Sequence, residues 1–144
     1  MEIKGLNTVI SKLQKYGKEA EKDIEGVTEL VARNIEGYAK AQAPANFGKL
    51  GQSIKAVKED KTHWKVEAGG TIAPYAPFVE FGTGGLVEVP EEMKEIAIKF
   101  KGKGIRRVNL RARPYLYPSL LRGRKEYLEK LKKVLDRYGK TESK

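Results

Sequence analysis

Apolar side chains recur through the first 43 residues at Leu6, Val9, Ile10, Leu13, Ala20, Ile24, Val27, Val31, Ile35 and Tyr38. Intervals of three and four place them on one stripe of a helix. Lys12, Lys15, Lys18, Glu21, Lys22, Glu25 and Glu29 fall mostly off that stripe. Asn7 or Thr8 is placed to cap the start. Pro44 ends the run, because its ring biases Ala43 away from helix. Gly17, Gly26 and Gly37 weaken the helix, and a bend is expected near Gly17. Unbroken, it would be about 50 Å long, and its single apolar stripe needs a sheet or a neighbouring subunit to cover it.

The pattern then changes period. Ser53 to Lys58 predicts a strand, Glu59 to Thr62 a polar turn, and His63 to Ala68 a second strand with Trp64, Val66 and Ala68 on one face. That face is expected against the long helix, and Gly69-Gly70 ends the strand. In the segment from Ala73 to Gly85, Tyr75, Phe78, Val79 and Phe81 are expected to bury together in a short helical turn. Gly82 would close it in a left-handed conformation that only glycine takes cheaply. Pro90 to Glu95 reads as the first turn of a helix, with an early proline and acids at its start, although Ile96 to Phe100 also suits a strand. The stretch from 84 to 110 is expected as a long excursion, either a mobile loop or an extended hairpin. After Arg111 to Pro118, Leu120, Leu121, Leu128, Leu131, Val134 and Leu135 predict a helix to about Tyr138, with residues 139–144 as a frayed tail.

These elements read as α+β: two terminal amphipathic helices on a small, mainly antiparallel sheet. The 144 residues suit one domain, taken as 1–138. The absence of cysteine excludes disulfides and thiolate metal sites. The amino terminus carries no apolar run of signal-peptide type, and nothing approaches the roughly 20 apolar residues of a membrane span. The expectation is a protein made in the cytosol, without membrane contact.

The net charge of +10 is unevenly placed. From Lys94 onward 17 Lys and Arg face 5 Asp and Glu, whereas residues 1–93 are slightly acidic. A solvated face with a ragged tail accounts for this, and so does a surface near nucleic acid or an acidic partner. Lys99, Lys101, Lys103, Arg106 and Arg107 are the candidates for facing DNA. Arg111, Arg113, Arg122, Arg124 and Lys125 are interleaved with Tyr115 and Tyr117, a mixture able to hold phosphates and stack on bases, but no known binding motif organises them.

Catalytic constellations are missing. The single histidine, His63, reads as an exposed strand residue. No nucleophile elbow exists, and Gly82-Thr83-Gly84-Gly85 lacks the ending of a phosphate-binding loop. Glu92-Met93-Lys94 has the acid–x–lysine spacing of one metal-dependent nuclease class, with Asp60 as its only plausible upstream acid. The expectation is no catalysis, no metal and no cofactor. Glu80, set between aromatics, needs a partner: either Arg113 or a backbone donor.

Three segments together carry a resemblance. They are Ala41-Gln42-Ala43-Pro44 with Gly48-Lys49-Leu50-Gly51-Gln52-Ser53-Ile54, then Tyr75-Ala76-Pro77-Phe78-Val79-Glu80-Phe81-Gly82-Thr83, then Ala112-Arg113-Pro114-Tyr115-Leu116-Tyr117-Pro118-Ser119-Leu120. In this order, between two terminal helices, they resemble the tail-component family of tailed bacteriophages, whose members are described as head–tail joining, neck or tail-completion proteins. The resemblance implies an assembly motif of Pro44, Gly48, Leu50, Ser53, Tyr75, Ala76, Val79, Glu80, Phe81, Gly82, Thr83, Arg113 and Pro114. It also implies a ring-type homo-oligomer, hexameric in the virion, that contacts neighbouring neck or tail proteins and passing DNA non-specifically.

Overall fold

The computed structural model describes residues 17–45, 48–83, 89–101 and 111–139. In chain order they form α1 (Lys18–Gln42), a short α2 (Gly48–Ser53), β1 (Lys55–Lys58), β2 (Trp64–Glu67), α3 (Ala76–Phe81), a 3₁₀ turn (Glu91–Met93), α4 (Lys94–Lys101) and α5 (Leu116–Gly139). The fold is α+β and mostly helical, with a two-stranded antiparallel sheet. The described chain divides into two compact units. One takes in 17–37, 56–66 and 120–139; the other takes in 38–45, 48–55, 67–83, 89–101 and 111–119.

In the first unit α1 and α5 run antiparallel, since Asp23 meets Arg137, Thr28 meets Tyr127 and Asn34 meets Glu126. Ala20, Ile24, Val31 and Ile35 pack with Leu120, Tyr127, Leu131 and Val134, and Val27, Val66, Leu135 and Tyr138 close over them. Each fully buried aliphatic side chain contributes about 1.5–3 kcal/mol. One polar pair sits inside: the Thr28 hydroxyl donates to the Ile24 carbonyl at 2.7 Å and pairs with the Tyr127 hydroxyl at 2.9 Å. Glu36 receives the Ala56 amide at 2.8 Å, and the Arg33 guanidinium lies 5.5 Å from the Trp64 ring centre. Val66 therefore faces the core as expected, while Trp64 is only half-buried.

Several boundaries differ from the sequence reading. Gly17 has φ +85, and α1 starts after it; the apolar positions from Leu6 to Leu13 lie outside the described residues. Ser53, expected to open a strand, instead ends α2, which begins at Gly48. Within the expected loop or hairpin, residues 91–101 form the 3₁₀ turn and α4, in line with the helix start read over Pro90 to Glu95; residues 84–88 and 102–110 are outside the described set. Of the four side chains expected to bury together, Phe81 alone is buried, and Tyr75, Phe78 and Val79 are half-exposed. Phe81 packs instead with Val89, Met93 and Ala97, beside Tyr117. That contact selects helix over strand for 94–101, because a helix brings Met93 and Ala97 within about 6 Å along its axis, close enough to share Phe81, whereas a strand would set them about 13 Å apart.

Candidate functional site

The motif residues lie in the second unit, where the second and third segments meet at the carboxylate of Glu80, which is 6% exposed. Ala76 to Phe81 form α3, with Pro77 in its first turn where a missing amide costs nothing. Position 80 lies on the inward side of that helix with Ala76, one turn before it. Glu80 Oε2 accepts the backbone amides of Tyr115 (2.8 Å) and Leu116 (3.0 Å), and Oε1 accepts that of Tyr117 (2.9 Å). These are the first unpaired amides of α5. The next residue, Pro118, has no amide, so all four positions that a helix start leaves open are accounted for. A negative charge there also complements the helix dipole.

Of the two partners expected for Glu80, the structure therefore uses backbone donors. Arg113 contributes through its own backbone, donating to Val79 O at 2.8 Å, and its side chain and that of Pro114 are exposed. Ser119 secures the turn by donating from Oγ to Tyr115 O at 2.6 Å. Tyr115 itself is 1% exposed.

Gly82 follows with φ +69 and ψ −171, a region that is essentially glycine-only. Gly82→Val is expected to destabilise the protein by about 1–3 kcal/mol, read as a lower urea midpoint; an unchanged midpoint would contradict the drawn turn. The first motif reaches the same unit. Leu50 and Ile54 are fully buried, and the Ser53 hydroxyl donates to Leu50 O (2.7 Å) while accepting the Gly69 amide (2.9 Å). Pro44 follows the end of α1, whose last amide bond runs from Ala43 to Ala39 O at 2.9 Å. Thr83 is half-buried.

Burial raises the phenol pKa of Tyr115, with the nearby Glu80 charge adding to it, and burial does the same to Tyr127. A folded-state pKa above the unfolded value makes stability full below the unfolded value of about 10 and lost as pH rises beyond it. Melting temperature is expected to fall between about pH 9 and about pH 11, less steeply in Tyr115→Phe. Equal slopes in the two proteins would refute this origin.

The remaining candidates are scattered. Lys99 and Lys101 lie on α4, whereas Lys103, Arg106 and Arg107 are outside the described residues. Glu92 is exposed in the 3₁₀ turn, where it receives the Tyr117 hydroxyl at 3.3 Å. Asp60 sits in the hairpin turn, and the Thr62 amide it accepts holds its carboxyl below the usual range. His63 pairs with Glu59 at 3.1 Å. Among the described residues no group of three or more His, Asp or Glu could hold a metal ion, and no helix is long and apolar enough to cross a membrane.

Sequence reasoning passed over Gly123, which is buried on the inner face of α5. A β-carbon there would collide with Cγ1 and Cδ1 of Ile35 on α1. The signal was present: Gly123 falls three residues after Leu120 and four before Tyr127, on the apolar stripe itself.

The chain matches the family model described as "Bacteriophage HK97-gp10, putative tail-component" over residues 7–82, slightly more than half its length. The match covers the first two motifs up to Gly82; the Arg113-Pro114 segment and α5 lie beyond it. No curated protein and no solved structure matches the chain.

Proposed function

We propose, because the chain belongs to the HK97-gp10-like family of bacteriophage tail components, that it joins or completes the tail at the head–tail interface. It does so as a structural subunit, through protein–protein contacts and without catalysis. The family match carries this reading. The Glu80 hub supports it, since a buried carboxylate spent entirely on holding a helix start serves rigidity and leaves nothing for substrate. The working form is a ring of identical subunits, six in the virion, that contacts neighbouring neck or tail proteins. Assembly takes place in the host cytoplasm, and the basic segment from Lys99 to Arg107 touches passing DNA without reading its sequence.

Deleting the gene from its phage or prophage is expected to leave separate heads and tails, which purified protein then joins. Normal infectious particles from the deletion would end this reading. Two other classes have direct tests. Tight duplex binding at physiological salt with a steep salt slope would favour a nucleic-acid-binding protein. A metal-dependent nuclease activity abolished by Glu92→Ala would establish an enzyme.

A further inference from the structure

The first unit leaves two apolar positions on the outer side of α5 uncovered: Leu121 is 42% exposed and Leu128 is 58% exposed. Seven residues apart, they lie on one face of the helix. Between and beyond them stand Lys125 and Lys132, both exposed, and residues 121–133 carry six cations against two acids. The outer side of α1 has the opposite character. Residues 18–30 carry five acids against two lysines; of the acids Asp23 is turned to Arg137, and Glu29 also holds Arg33 at 2.9 Å. Leu30 is 47% exposed there, one turn from Gly26. Gly26 is exposed, and a β-carbon added to it would meet nothing within 4 Å. A glycine inside a helix is destabilising relative to alanine, and among the described residues nothing makes use of it. An approaching side chain could.

We infer that these faces pair between copies: the Leu121–Leu128 face of α5 on one subunit packs over Gly26 and Leu30 of α1 on the next, with Lys125 and Lys132 meeting Glu25 and Glu29. This rests on the ring reading above and names its contact. Charge complementarity selects the occupant. Two α5 faces brought together would oppose lysine to lysine and arginine, whereas α1 offers acids around an exposed leucine. The contact is heterologous, using a different surface on each partner, and such contacts generate rings when the rotation closes.

The chain has no cysteine, so two sites can be introduced cleanly as Gly26→Cys and Leu128→Cys. Full-length single variants, mixed and treated with a short bismaleimide at low salt and also after incorporation into particles, are expected to give a mixed covalent dimer. The double variant is expected to give a ladder of covalent oligomers. Lys125→Glu with Lys132→Glu should remove the ladder, and adding Glu25→Lys with Glu29→Lys should restore it. Each single variant linking efficiently to itself would overturn the inference in favour of a two-fold contact. Absence of any ladder, in solution and in particles containing the chain, would also overturn it while leaving the tail reading intact. A chain missing from particles would count against the tail reading, and the ladder in solution would still decide the contact.

Discussion

Glu80→Ala is expected to destabilise the protein by about 3 kcal/mol or more, because three amides lose a charged acceptor within a largely buried site. For a chain of this size that is a fall in melting temperature on the order of 10 °C. The effect has an address. Hydrogen exchange should accelerate at the amides of Tyr115, Leu116 and Tyr117, which Glu80 accepts, while amides in the middle of α1 keep their protection. Glu80→Gln should recover only part of the loss, since one carboxylate oxygen becomes a donor facing a donor. Unchanged melting together with unchanged exchange at these three amides would mean that Glu80 does not hold the start of α5.

Gly123→Leu is the second large effect. Its side chain would enter the space held by Ile35 Cγ1 and Cδ1, and Ile35 is itself 4% exposed, so neither can move aside without parting α1 from α5. Overpacking of this kind costs about 1–3 kcal/mol, and occasionally more. The better helix propensity of leucine offsets only a part, about 1 kcal/mol. A cycle with Ile35→Ala isolates the cause: the double variant should be more stable than the sum of the two single losses predicts. Strict additivity would show that the two positions do not collide.

How far the sequence reached differs from element to element. The long helices were legible because Ile24, Val31 and Ile35, and later Leu120, Leu131 and Val134, repeat at helical spacing and are the residues that become buried. Gly82 was legible because a glycine closing a short aromatic helix has one main reason to be there, and its φ of +69 supplies it. Glu80 was half legible. A carboxylate among aromatics must find a donor, but these donors lie 35 to 37 residues further along the chain, and no local pattern points to them. Residues 94–101 were ambiguous because alternating Ile96, Ile98 and Phe100 fit a strand as well as a helix, and packing of Met93 and Ala97 on Phe81 decides the matter. The short α2 was missed for another reason. Two glycines in six residues argue against a helix, and burial of Leu50 with the Ser53 hydroxyl on its carbonyl outweighs them.

A structural place in the tail is the central claim, and imaging of the assembled particle tests it most directly. Reconstruction of virions carrying a bulky tag at the carboxyl terminus of this chain should show a ring of tag density where the tail meets the head. Purified infectious particles that contain none of the chain, or tag density confined elsewhere in the particle, would contradict it.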